Sequence, residues 1–110
     1  MGGARQDKVK KLIHKLSAEY INKEANKKPL ITVTGVELSD NFEYTKIFVS
    51  VFPMKDTPSA LLYLSRKVKD LRRHIALETR LKNLPKISFE LDPGEENRKR
   101  IDEIIEGLNS

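Results

Sequence analysis

Between Ile31 and Phe52 the chain reads ITVTGVELSDNFEYTKIFVSVF, and this stretch leaves the fold little choice. In its second half Ile47, Val49 and Val51 fall on one side of an extended chain. Tyr44, Lys46, Phe48, Ser50 and Phe52 fall on the other, a period of two rich in β-branched and aromatic residues. The first side faces a core. The first half is less regular: Ile31 and Val33 share one parity and Val36 and Leu38 the other, with Gly35 at the change. A glycine at a parity slip predicts a β-bulge. Ser39-Asp40-Asn41 supplies residues that tolerate turn dihedrals and bond their own backbone, so two antiparallel strands joined by a tight turn are expected.

The flanking segments alternate between helix and strand signals. Val9, Leu12, Ile13, Leu16 and Tyr20 recur at helical spacing, which predicts a first helix over 7–24, N-capped by Asp7, after a short leader over 1–6. Lys8, Lys11 and Lys15 share a stripe away from that apolar face, and lysines alone suit a solvated face as readily as a binding surface. Asn26-Lys27-Lys28-Pro29 breaks the helix ahead of the hairpin. Beyond it, Thr57 as N-cap and Pro58 at the first helical position predict a second helix running to about Lys82, stopped before Pro85. Its apolar face is Leu64, Val68, Leu71 and Ile75. Arg66, Lys69, Arg73 and Arg80 fall in a narrow sector nearly opposite, with Arg72 alongside. Asp70 and Glu78 are too few to pair that row, and the planar arginine fork suits phosphate oxygens, so phosphate contact is favoured here over a merely solvated face.

Lys86 to Leu91 alternates again and predicts a third strand that buries Ile87, Phe89 and Leu91. Asp92-Pro93-Gly94 ends it. Ile101, Ile104, Ile105 and Leu108 then mark an amphipathic helix over 95–108, with Glu95 and Glu96 near its positive end. The order helix-strand-strand-helix-strand-helix describes an α+β fold with helices packed on one face of a three-stranded sheet.

At 110 residues the chain is expected to be one domain, 1–110, and its net charge of +5 favours a polyanionic partner or an anionic membrane surface. There is no cysteine, which excludes disulfides and thiolate chemistry. No apolar run approaches the roughly 20 residues that span a bilayer, so a soluble cytoplasmic protein with no membrane partner is expected. Enzymatic chemistry has little to stand on. His14 and His74 lie in different helices without a local carboxylate or cysteine pattern, and read as exposed or partly packed side chains. The five glycines form neither a phosphate-cradling loop nor a dinucleotide fingerprint, and no nucleophile–base set can be assembled. No catalytic, metal or cofactor site is expected.

With these elements in order, the sequence resembles the ribosome-binding factor A family over nearly its whole length. The resemblance rests on Thr32-Val33-Thr34 then Val36-Glu37-Leu38-Ser39, on Thr45-Lys46-Ile47-Phe48-Val49-Ser50-Val51, on Leu71-Arg72, Arg80-Leu81, Pro85 through Asp92, and Arg100-Ile101. It implies a KH-like fold of type II order (α-β-β-α-β-α) without the Gly-x-x-Gly loop of typical KH modules. This chain also lacks that loop, so a KH backbone clamp is not its mode of RNA binding. The resemblance further implies a non-catalytic, monomeric assembly factor. It would bind the immature small (30S) ribosomal subunit at its 16S rRNA near the neck, and assist 5′ maturation and cold adaptation. Two positions depart from the family. Its second helix carries an Ala-x-Gly kink where this chain has Lys67, Val68 and Lys69. A loop that often reads Asp-Pro-Arg-Leu is here Asn26-Lys27-Lys28-Pro29-Leu30.

RNA contact is expected from Lys8, Lys11, Lys15, Arg66, Lys69, Arg72, Arg73 and Arg80. Two readings from other classes remain beside it: a protein-interaction module of KH-like fold whose charges keep it soluble, and a generic nucleic-acid-binding domain. A charged fraction of 34% with one glutamine also fits heat adaptation, which needs no ligand.

Overall fold

The computed structural model describes residues 2–24, 29–81, 83–95 and 104–105. Tyr44–Phe52 is the middle strand, β2, of a three-stranded sheet. Leu30–Leu38 (β1) pairs with it antiparallel, and Lys86–Leu91 (β3) pairs with its other edge in parallel. A parallel neighbour requires a crossover. Two helices supply it, α2 (Thr57–Arg66) and α3 (Val68–Glu78), while α1 (Gly2–Glu24) precedes the sheet.

The parity read from the sequence holds throughout β2. Thr45, Ile47, Val49 and Val51 are buried, with Ile47 and Val49 at 0% exposure, and Tyr44, Lys46 and Phe52 are exposed on the opposite face. The helices cover the buried face: α1 lies on β1 and against α3, and α2 lies on β2 and β3. Ile13, Leu64, Leu71 and Ile75 reach Ile47 and Val49 from that layer to form one core. Each such fully buried side chain contributes about 1.5–3 kcal/mol.

The β1 bulge also forms as expected. Pairing runs Val33 with Val49 and then Gly35 with Phe48, which leaves Thr34 as the extra residue. The slip is what lets Ile31 and Val33 before it and Leu38 after it all face the helices. Gly35 is not needed for lack of space, because a Cβ there would sit 3.9 Å from Phe48 Cδ2, an ordinary contact. At the hairpin turn the Ser39 hydroxyl accepts the backbone N–H groups of Glu43 (3.0 Å) and Tyr44 (2.9 Å) and donates to Asn41 Oδ1.

Other expectations are corrected. The leader expected over 1–6 is helical from Gly2 onward, so α1 starts there and Asp7 lies inside the helix rather than at its cap. Docking overrides the poor helix propensity of the first residues. Gln6 Nε2 donates to the carbonyls of Leu38 (2.8 Å) and Ser39 (3.2 Å), and the Arg5 guanidinium stands 5.6 Å from the Phe42 ring centroid. At the other end of α1 the Tyr20 hydroxyl donates to Asp70 Oδ2 at 2.6 Å, tying α1 to α3.

Thr57 does not cap α2. A 3₁₀ turn over Met54–Asp56 runs straight into the helix, Asp56 holds the cap position, and the Thr57 hydroxyl donates back to the Met54 carbonyl at 2.6 Å. Pro58 lies in the first turn as expected.

The single second helix is in fact two. It breaks at Lys67 (φ −97°, ψ 0°), where the Lys67 N–H bonds Leu64 O in a tightened turn, and α3 ends at Glu78 rather than near Lys82. The break needs no glycine. Its φ is negative, within reach of any L-residue, so Lys67 takes the conformation without strain. Thr79 then turns extended (φ −131°, ψ 167°), which ends α3 well before Pro85 could.

In β3, Ile87, Phe89 and Leu91 are half-buried rather than buried, because the strand is an edge of the sheet. The helix expected over 95–108 falls mostly outside the described residues, as do Asn26, Lys27 and Lys28. Residues 93–95 and 104–105 are helical. The helical turn thus begins at Pro93, two residues earlier than expected, with Asp92 before it accepting the Gly94 N–H at 2.7 Å.

Candidate nucleic-acid interface

The cations singled out by spacing are distributed over three settings. Lys8, Lys11 and Lys15 are exposed along α1, whereas Lys69 and Arg73 are exposed one turn apart on α3. These two helices pack against each other. Arg66 is exposed in the last turn of α2, on the far side of the break at Lys67, and so does not belong to the α3 row. Among the described residues one ion pair forms, Lys46 Nζ to Glu90 Oε2 at 3.5 Å, and it lies on the opposite, open face of the sheet. No predicted contact residue has a carboxylate partner among the described residues.

Arg72 and Arg80 depart from the expected row. Arg72 is half-buried, and its Nη2 donates to the Leu84 carbonyl at 3.2 Å, so it braces the segment between α3 and β3. Its Nε is buried without a partner among the described residues. Arg80 has left the helix and is exposed in that same segment. Both line a cleft of about 1010 Å³ between the start of α1, the hairpin turn and residues 80–81 and 83–86. Two cations there were not anticipated from the sequence, Arg5 and Lys86. Lys86 pairs in register with Tyr44, and its Nζ lies 5.8 Å from that ring's centroid.

Arg73 borders a smaller hollow of about 360 Å³ together with Glu19, Tyr20, Asp70 and His74, a setting of mixed charge. His74 is half-buried and packs against the Tyr20 ring at 5.8 Å, as a partly packed histidine should, while its Nε2 is buried without a partner among the described residues. Among the described residues no group of three or more His, Asp or Glu side chains could hold a metal ion, and no helix is long and apolar enough to cross a membrane.

Asp92 has a clearly shifted carboxyl. The Thr34 hydroxyl, at 2.6 Å, and the backbone N–H groups of Gly94 and Glu95 hold its carboxyl below the ordinary 3.8, against a slight upward push from burial. This bond joins the β1 bulge to the residue that closes β3.

The sequence profile of ribosome-binding factor A matches residues 5–105. The chain belongs to the ribosome-binding factor A family. A ribosome-binding factor A from Coprothermobacter proteolyticus is 34% identical over 103 residues, covering 94% of this chain and 74% of that one. The crystal structure of ribosome-binding factor A from Thermus thermophilus is similar with a TM-score of 0.67, at 25% identity over 77% of this chain and 93% of that chain. A homology model of the Thermus thermophilus factor, fitted into a cryo-EM map of its complex with the 30S subunit, is similar with a TM-score of 0.63. Its identity is 28%, over 72% of this chain and 86% of that one. The α-β-β-α-β-α order and the α+β class are those of ribosome-binding factor A. The kink that the family resemblance attaches to Ala-x-Gly is made here at Lys67 without a glycine.

Proposed function

We propose that the protein is a non-catalytic assembly factor of the small ribosomal subunit. It binds the 16S rRNA of the immature particle near the neck, assists 5′ maturation, supports growth in the cold, and acts as a cytoplasmic monomer. The observation that carries the reading is the set of exposed cations on α1 and α3, none of which has a carboxylate partner among the described residues. Unpaired cations on rigid helices release counterions from phosphates on contact, and they fix position rather than base sequence. Without a Gly-x-x-Gly clamp, such a surface reads RNA by its shape and phosphate placement. The small subunit as target is supported by the related Thermus thermophilus factor, fitted into a map of its 30S complex.

Sedimentation of a lysate containing a tagged copy tests this. The protein should travel with free and precursor small subunits and be scarce on polysomes, and its depletion in the cold should leave unprocessed 5′ ends on 16S rRNA. Enrichment on polysomes, or normal 5′ ends after depletion, would contradict the reading.

A further inference from the structure

The cleft between the start of α1, the hairpin turn and residues 80–81 and 83–86 is separate from the exposed cations of Lys69 and Arg73. We propose that it holds an unpaired stretch of RNA, with a base laid on the Tyr44 ring and the neighbouring phosphates met by Arg5, Arg80 and Lys86; this rests on the RNA-binding reading above and gives it a second contact.

Three observations carry it. The first is charge: Arg5, Arg72, Arg80 and Lys86 line the cleft, and Glu43 is the acidic residue among its lining groups. The second is that its walls are tied to one another before any ligand arrives. Gln6 bonds the carbonyls of Leu38 and Ser39, joining α1 to the turn. The Lys86 N–H bonds the Glu43 carbonyl at 2.8 Å, joining β3 to the turn. Arg72 bonds the Leu84 carbonyl, joining α3 to the connecting segment. A site whose shape is already set spends little ordering entropy on binding.

The third observation is the aromatic. Tyr44 is 55% exposed, with the Lys86 ammonium over its ring, 5.8 Å from the centroid. A solvent-facing ring next to a cation is the arrangement on which splayed bases stack, and it offers nothing to a duplex whose bases are already stacked on each other. At about 1010 Å³ the cleft is at the upper end of the roughly 300–1,000 Å³ of small-ligand pockets, so it has room for more than a single nucleotide. An acidic peptide would answer the charge but has no use for the ring.

The test measures polarisation of a labelled single-stranded oligoribonucleotide of about ten nucleotides and of a duplex of equal length. The proteins are the unmodified chain, Tyr44→Leu, Tyr44→Phe, Lys86→Glu and the double variant Lys69→Glu/Arg73→Glu. Tyr44→Leu is expected to weaken single-strand binding by about 5- to 100-fold and Tyr44→Phe by little, with duplex binding unchanged in both. Lys86→Glu should follow Tyr44→Leu, and melting temperatures should be alike because both side chains are exposed. The double variant should weaken duplex binding instead. Single-strand affinity unaffected by Tyr44→Leu, equal loss for single strand and duplex, or displacement of the oligonucleotide by a polyglutamate peptide that binds Tyr44→Leu as well as the unmodified chain would each overturn the cleft assignment. In all three cases RNA binding by the exposed cations of α1 and α3 still stands. If the unmodified chain bound neither RNA, both readings would fall together.

Discussion

On α3, Leu71 and Ile75 are 0% and 2% exposed, whereas Lys69 and Arg73 on the other side of the same helix are exposed. Leu71 and Arg73 are two residues apart, about 200° around a helix, and that rotation separates what holds the fold from what is free to meet a ligand. On the inner side every methylene removed opens a cavity in the core. On the outer side a charge can be reversed without opening the core, although Arg73 borders Glu19 and Asp70. Arg72 sits at the boundary between them, half-buried, with one nitrogen on the Leu84 carbonyl.

The largest expected effect is on the inner side. Leu71→Ala should cost about 2–5 kcal/mol in urea unfolding, because it empties a fully enclosed site. A loss below about 1 kcal/mol would mean that the helical layer collapses to fill the space and that the two sides of α3 are less distinct than described.

At the boundary, Arg72→Ala should cost about 1–2 kcal/mol by leaving the Leu84 carbonyl without its donor. Hydrogen exchange should quicken over residues 79–85 more than in α3 itself. Uniform exchange throughout would show that Arg72 does not brace that segment.

A smaller effect is expected on the open side of the sheet. Thr34→Val removes the hydroxyl that Asp92 accepts, and should cost about 0.5 kcal/mol at neutral pH because the bond is partly exposed to water. Its sign with pH follows from the lowered carboxyl. A depressed folded-state value adds stability that is present above the ordinary 3.8 and is lost as pH falls through the folded value. The gap between Thr34→Val and the unmodified chain should therefore close below about pH 4. A gap that persists at pH 2 would assign the loss to packing of the threonine instead.

The parts of this architecture that were legible in the sequence are those with a period. Alternation gave β2, its buried face and the partner strand, and a parity slip gave the bulge, because two-residue periodicity is directly the geometry of a strand. The inner and outer sides of α3 were legible for the same reason at 100° per residue. The break at Lys67 left no mark, since Lys67, Val68 and Lys69 all continue a helix readily and the change is a small rotation in allowed backbone space. That break takes Arg66 off the row, and the early end at Glu78 takes Arg80 off it. The start of α1 was misread because its stability comes from Gln6 and Arg5 meeting a turn more than thirty residues away. For that reason Arg5 and Lys86 were missed as lining residues. Only the parallel pairing of β3 and the docking of α1 bring them together, and neither leaves a local signal.

The outer side of α3 should show the smallest effect on stability and the decisive one on binding. Lys69→Glu/Arg73→Glu is expected to change unfolding free energy by no more than about 0.5 kcal/mol. The measurement is the affinity of purified small subunits for the unmodified chain and for this variant across a range of salt. If Lys69 and Arg73 contact phosphate, the slope of log affinity against log salt should be shallower in the variant by about 1–2, and the affinities should converge at high salt. Equal affinity and equal slope at low salt would contradict the account.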